Sequence, residues 1–331
     1  MCRDEPASEE PIAVQSMRRL IRNSKFTRLD ALSPQTVIEA NGQRFSIEMI
    51  ADGHSETLSE VQKLFEDIFG AEEIDPEEIL RAAVDGKTPW GTNDATKYRV
   101  HVVKDQESRV ISIVTGGRLD LRNSDRSPSG KQVYMIGYAV TAKNARQCGI
   151  AREAYISAIM QVATESEQEG KELLLAGGEA TYTSEEFWNS VGWKRVYAER
   201  DDAPRLYEEI RYVQPALDYD LATGDVAEGA NSKPEHLMLD IFEAPAPDRE
   251  CLLATVRAFY DWCNCWPREA FETETAYEKH AAHVHYIWNA FKSEVLGTNT
   301  LAVLDKKMRA EMQAEGIVII GHDAADQRCF P

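Results

Sequence analysis

One stretch, residues 133–192, limits what this chain can fold into more than any other. Its apolar run Val133-Tyr134-Met135-Ile136-Gly137-Tyr138-Ala139-Val140 passes through Thr141-Ala142-Lys143-Asn144-Ala145 into Arg146-Gln147-Cys148-Gly149-Ile150-Ala151, and a helical pattern begins at once. The order is strand, tight loop, helix. The first turn of a helix leaves backbone N–H groups without intrahelical partners and carries a partial positive charge, so it suits an anion, above all a phosphate. Gly149 lets the main chain turn and lets a phosphate come close to it, and small Ala151 keeps that approach open.

Arg146-x-x-Gly149-x-Ala151 after a strand ending in Val140 resembles the acyl-CoA pyrophosphate loop, Arg/Gln-x-x-Gly-x-Gly/Ala, of the GCN5-related N-acetyltransferases (GNAT superfamily). A second motif follows in order and at similar spacing. Glu172-Leu173-Leu174-Leu175-Ala176 reads as the next strand, and Ser184 to Val196, with Phe187-Trp188-Asn189-Ser190-Val191-Gly192-Trp193, is similar to the family's helix and following F-Y-x-x-x-G-F-x-x-V strand. The resemblance covers about residues 44–214 and implies an α/β (α+β) acyl-CoA N-acyltransferase fold on a mixed sheet.

Length and charge bound the rest. A chain of 331 residues with 43% hydrophobic content can bury a sizeable core and exceeds one average domain, so two domains are expected. Acidic residues outnumber basic ones 56 to 37, a formal charge of −19, which argues against a nucleic-acid or anionic-membrane partner and for a cationic one. No apolar run approaches the roughly 20 residues that span a bilayer, and the opening Met1-Cys2-Arg3-Asp4-Glu5 resembles neither a signal nor a transit peptide, so a cytoplasmic protein is expected. Six cysteines in such a chain are read as reduced thiols.

Residues 1–43 read as an N-terminal extension. Within it Arg18, Arg19, Arg22, Lys25 and Arg28 alternate with Leu20, Ile21 and Phe26, a basic amphipathic arm that docks on this chain or a neighbouring subunit, or else presents a solvated face. Arg44 to Ile50 alternates as a strand, and Leu58, Val61, Leu64, Phe65 and Ile68 recur at helical spacing. Asp75-Pro76-Glu77-Glu78 reads as a helix start with Asp75 as its cap. Strands follow at Tyr98–Val103 and Val110–Val114, while 118–131 is polar and turn-rich; the closing strands are expected near Trp193–Tyr197 and Leu206–Val213.

The resemblance implies a mechanism in which an amine attacks an acyl thioester directly, with acetyl-CoA or another acyl-CoA as co-substrate and no metal. Backbone at Ala139 and Val140 would hold the pantetheine arm. Amides of Gln147, Cys148, Gly149, Ile150 and Ala151 would hold the pyrophosphate, with Lys143, Arg146 and Arg152 placed to offset its charge. Where many members carry a tyrosine that protonates the leaving thiolate, this chain has Trp188, whose indole N–H is no acid near neutral pH, and the Asn that often begins the motif is Thr181. Three explanations stay open: the thiol, with a pKa of about 8.5 like a cysteine's, leaves with help from water; Tyr138 or Tyr182 substitutes; or the domain binds acyl-CoA and catalyses nothing. A base is also needed, because a primary amine with a pKa of about 10.4 arrives protonated. Glu179, after Gly177-Gly178, is the candidate, with a solvated loop carboxylate as the alternative. Tyr134 and Tyr138, four residues and so two strand periods apart, are expected on one face of the central strand, where either lines the acceptor pocket or fills core; Trp188 is the other candidate for contact with substrate.

Asp218 to Pro234 is rich in loop-forming residues, and 215–234 reads as a linker to a small α/β or mainly helical domain over 235–331. Its aromatic run Phe259-Tyr260-Asp261-Trp262 and Trp266 points to a cap over the acceptor side or to a subunit contact that would make a homodimer. His280-x-x-His283-x-His285 cannot converge on a metal from one unbroken helix, since at about 100° per residue His285 points away from His280. The sequence thus predicts transfer of an acyl group, most simply acetyl, to a small and possibly cationic amine.

Overall fold

The computed structural model describes residues 11–28, 35–40, 42–70, 74–88, 91–92, 96–123, 125–181, 184–242 and 247–321. The chain begins with α1 (Ile12–Arg22), β1 (Thr27–Arg28), β2 (Gln35–Ala40) and β3 (Gln43–Ile50), followed by α2 (Thr57–Phe69), α3 (Glu77–Val84) and a small hairpin, β4 (Lys87–Thr88) and β5 (Gly91–Thr92). The centre comprises β6 (Thr96–Lys104), β7 (Val110–Arg122), β8 (Pro128–Thr141), α4 (Ile150–Gln168), β9 (Glu172–Ala180), α5 (Glu185–Ser190) and β10 (Lys194–Arg200). Then come β11 (Ala203–Glu209), β12 (Tyr212–Gln214), β13 (Lys233–Ile241), α6 (Arg249–Cys263), α7 (Glu274–Leu296), β14 (Thr298–Leu304), α8 (Lys306–Ala314) and β15 (Val318–Ile320).

Among the described residues, thirteen strands form one mixed sheet in the order β1-β2-β3-β6-β7-β8-β9-β13-β10-β11-β15, with β12 beside β13 and β14 beside β10. The pairs β8–β9 and β11–β15 are parallel. Parallel neighbours need a long crossover, and α4 supplies it between β8 and β9. Helix α4 is buried nearly all round, because the sheet covers one side of it and α1 another: Ala13, Val14 and Met17 of α1 join Ala154, Tyr155, Ala158 and Ile159 of α4 in one core. On the opposite face of the sheet, α2 and α3 pack over β6 and β7 through Leu58, Val61, Phe65 and Leu80. Helices α6 and α7 continue that face over β9, β13 and β14 through Leu252, Val256, Phe259, Trp288 and Phe291.

The basic arm docks on its own chain. Arg28 donates to the Glu153 carboxylate of α4 at 3.0 Å and to Ser157 at 2.7 Å, and Ser24 donates to Glu153 at 2.6 Å. With side-chain exposures of 2% and 0%, Arg28 and Glu153 form a desolvated ion pair rather than a solvated face. The stretch 118–131, read as polar and turn-rich, extends β7 and β8 into a long hairpin, in which buried Arg118 finds Glu169, just past the end of α4, at 2.6 Å.

Beyond residue 234 the chain adds its described strands to the same sheet. It lays β13 between β9 and β10, because the run His236-Leu237-Met238-Leu239 is buried on both faces and needs an interior slot. The strand expected to close the fold at 206–213 lies outside β10 as β11, with β12 splitting off to pair with β13.

Candidate active site

The site starts where β8 and β9 part. Their parallel rungs run from Lys131↔Glu172 to Ile136↔Gly178, and among the described residues no rung follows, although β8 continues to Thr141. On its other edge β8 stays with β7, but Tyr138 faces Thr115 while Ile136 faces Gly116, so Gly137 is an extra residue. An added residue bends a strand and exchanges its two faces downstream. Tyr134 and Ile136 accordingly lie in the α4-side core, whereas Tyr138 and Val140 lie with α2 on the other side. Tyr134 and Tyr138 thus do not share a face, and Tyr134 is fully buried in the α4-side core. Trp188 is also core: its ring stacks on Trp193 at 4.0 Å and meets Tyr155 edge-on at 6.4 Å. Ala139 is partly buried against the α4-side core, and the Ala139–Val140 backbone lies on the part of β8 that β9 has left.

The loop after β8 makes a 3-10 turn at Lys143–Ala145 and then enters α4. Buried Ala145 and Ile150 anchor it at both ends. Between them Gln147 (φ +61°) and Gly149 (φ +82°) are left-handed, which turns the main chain over the first turn of α4. Gln147 and Gly149 are exposed, Cys148 and Ala151 partly so. Lys143 and Arg146 are exposed beside the loop, and Arg146 Nε donates to the Thr141 carbonyl at 3.1 Å. Arg152, expected to offset phosphate charge, instead donates to the Leu20 carbonyl at 2.7 Å, because the end of α1 lies against it. The arm adds two residues that the sequence did not place here: a Cβ on Gly149 would stand 3.6 Å from the Phe26 ring and 3.7 Å from Lys25 Cε. A recess of about 390 Å³, lined by Leu64, Asp67, Ile68, Ala142, Lys143 and Asn144, opens between the end of α2 and this loop.

Across the sheet, Tyr138 packs on Phe65 at 4.8 Å and Phe69 at 5.8 Å, and its hydroxyl lies 3.4 Å from the Asp75 carboxylate. Asp75 does not cap α3. Pro76 holds the N-cap position with no side-chain capping bond, which leaves the carboxyl free to turn inward. Water reaches Asp75, yet desolvation holds its pKa above the ordinary range, opposed by the Tyr138 hydrogen bond. Burial likewise raises the Tyr138 phenol, and the Asp75 charge adds to the rise. Trp262 of α6 closes this side, 5.7 Å from the Tyr98 ring; Gly117 gives it room, since a Cβ there would come 3.0 Å from the indole.

Glu179 lies within β9 rather than in a loop. Gly177 and Gly178 belong to the strand because they are pressed from both sides: a Cβ on Gly178 would sit 2.9 Å from the Ile136 carbonyl oxygen. The Glu179 carboxylate accepts from the Tyr212 hydroxyl at 2.6 Å and from Gln214 at 2.7 Å. Burial raises its pKa to about 8, against the Tyr212 bond and with help from Glu235. Half-buried Cys263 has its thiol pushed up by desolvation and then by Glu179 and Asp75, so both carboxyls bear on the same patch. Tyr182 lies outside the described residues. Among the described residues no group of three or more His, Cys, Asp or Glu could hold a metal; His280 is buried and accepts the Trp266 N–H at 3.0 Å, while His285 is exposed. No described helix is long and apolar enough to cross a membrane.

No family model and no curated protein matches the chain. Among solved structures, a GNAT-family acetyltransferase from Staphylococcus aureus Mu50 matches at 10% identity and a TM-score of 0.33, over 60% of this chain and 99% of that one. Arabidopsis thaliana Naa50, in complex with the bisubstrate analogue CoA-Ac-MVNAL, matches at 8% identity and a TM-score of 0.36, over 58% and 97%. An aminoglycoside acetyltransferase from an uncultured soil metagenomic sample matches at 18% identity and a TM-score of 0.33, over 44% and 86%. Scores of this size are likenesses only, and what bears on function is the geometry of the split strand pair and its loop.

Proposed function

We propose that the chain is an acyl-CoA-dependent N-acyltransferase of the GCN5-related type that moves an acetyl group to a primary amine. The observation that carries this reading is the parting of β8 from β9 at the Gly137 bulge, directly ahead of a left-handed loop that opens α4. A parted parallel pair offers strand backbone to an extended amide-bearing arm, and the loop offers amides and cations to its diphosphate.

In this reading the pantetheine arm lies along Ala139 and Val140, the diphosphate on the amides of residues 147–151, and Lys143 and Arg146 balance its charge. The thioester carbonyl then sits beside Tyr138, where backbone donors stabilise the oxyanion and positioning supplies much of the rate. The amine enters from the α2 and α6 side. The carboxylate that bears on that side is Asp75, which supports a cationic acceptor. Tyr138 stays protonated near neutral pH and is the described phenol able to serve the departing sulfur.

The test is thiol release on mixing the protein with acetyl-CoA and a panel of primary amines, including polyamines and aminoglycosides. Release with at least one amine is expected. Tight CoA binding with no turnover on any acceptor would make the chain an acyl-CoA-binding module instead.

A further inference from the structure

We infer that Asp75 is the catalytic base of this transferase and that Tyr138, its hydrogen-bonded neighbour, carries the second proton to the leaving sulfur. The inference rests on the acyltransferase reading above and adds the identity of the proton-handling pair. Asp75 comes from the turn between α2 and α3, far in sequence from the acyl-CoA loop, and as a helix cap it would have no part in chemistry. The structure frees it from that task and sets its carboxylate 3.4 Å from the Tyr138 hydroxyl. Tyr138 is the first β8 residue past the bulge, at the point where β9 has left the strand. The pair therefore stands where an acyl carbonyl and an incoming amine would meet.

The groups that face Asp75 come from each element packed around it. They are the Tyr138 phenol on β8, the Tyr98 phenol on β6, the Cys263 thiol on α6 and, at its own carbonyl, the Gln62 amide of α2 at 3.1 Å. These neighbours are phenols, a thiol and an amide, which suits a base that must accept a proton and release it again. Asp75 is also reached by solvent, so an acceptor can reach it. Glu179 is the competing carboxylate, but both its oxygens already accept hydrogen bonds from the β12 residues Tyr212 and Gln214, and it ties that strand to β9.

The proton balance closes on the pair. The ammonium form of the acceptor gives one proton to the Asp75 carboxylate, and the freed nitrogen lone pair forms the C–N bond as the carbonyl pair moves to oxygen. Collapse breaks the C–S bond, with its electron pair going to sulfur. The second nitrogen proton passes through the Tyr138 hydroxyl to the thiolate, and Asp75 later releases its proton to water. The sum is ammonium plus acetyl-CoA giving amide, CoA thiol and one proton.

The experiment measures kcat/KM for the most active amine of the panel from pH 6 to 10, with Asp75→Asn, Glu179→Gln and Tyr138→Phe in the full chain. Asp75→Asn is expected to lower kcat/KM by about 10²-fold near neutral pH, the usual scale of general-base help. Its deficit should shrink as pH rises towards the amine's own pKa of about 10.4, because a free amine needs no base. The KM for acetyl-CoA should be unchanged. Glu179→Gln should keep the wild-type pH dependence of kcat/KM, because its carboxyl ties β12 to β9; a deficit in this variant that shrinks towards the amine's own pKa of about 10.4 would put the base at Glu179 and overturn the assignment. A purely structural role for Asp75 would give a deficit independent of pH, and that result, or an Asp75→Asn rate equal to wild type, overturns the assignment while leaving the transferase reading intact. Absence of thiol release by the wild-type protein with every amine would overturn both.

Discussion

On the loop side of the split strands, the groups that can meet a ligand are mainly backbone amides from one continuous strand, loop and helix, residues 139–151. On the proposed acceptor side they are side chains brought from α2–α3 (Asp75), β8 (Tyr138) and α6 (Trp262, Cys263), backed by buried Tyr98 of β6 and by Glu179 of β9 with its β12 partners Tyr212 and Gln214. The first kind of site needs only local geometry, with a left-handed residue before a helix and two buried anchors. The second exists only once the whole sheet and its covering helices are in place. A backbone-built site should be sensitive to shape and indifferent to pH between 5 and 8, while a side-chain-built one should respond to titration.

The largest test of this contrast concerns what holds the loop's helix. Arg28→Ala leaves Glu153 buried with its ion partner gone, and is expected to lower stability by about 3–5 kcal/mol. Urea unfolding reads it, and a loss under about 1 kcal/mol, the worth of an exposed pair, would mean that α1 and its arm are not part of the loop's support. Next is Gly149→Glu, which puts a carboxylate on a residue at φ +82° and is expected to weaken CoA binding by about 100-fold, roughly 2.7 kcal/mol. Unchanged affinity by calorimetry would end the claim that the loop binds the diphosphate.

The acceptor side supplies a test by pH. The folded chain holds the Glu179 proton up to about pH 8, whereas the unfolded chain releases it near about 4.3. The stability gained is therefore complete below the unfolded value and is lost as pH rises through the folded one. Glu179→Gln cannot titrate, so its stability should stay level between about pH 5 and 8 relative to a falling wild type. Parallel curves would show that this side is no more pH-responsive than the loop. The smallest effect is expected from Lys25→Ala, a loss of about threefold in CoA affinity that shrinks at high salt, as for an exposed charge near a phosphate. No loss at low salt would confine the phosphate site to residues 139–151.

What could be read from the letters follows the same division. The loop was visible because Gly149, Arg146 and the apolar run before them are contiguous, and a strand followed by a helix needs no distant partner. The bulge was not, since Gly137 inside an apolar strand gives no sign of an extra residue until its opposite neighbours Thr115 and Gly116 are known. That one residue moved Tyr134 to the far face. Asp75 was masked by the same Asp-Pro-Glu-Glu signature that starts a helix, and only the packing of Tyr138 against Phe65 and Phe69 reveals where its carboxyl turns. Trp188 stood at a position the resemblance ties to chemistry, but its stacking on Trp193 is a matter of core shape. The placement of β13 depends on an open edge of β9, which no local pattern announces.

Strand β13 also sets a problem for synthesis. β9 and β10 leave the ribosome before the segment that must come between them, so a nascent chain carries an uncovered β9 edge until Lys233–Ile241 emerges. Chains cut short of Lys233 would keep that edge and the bare Leu175 and Met135 faces, and would be drawn into aggregates rather than into a smaller folded protein.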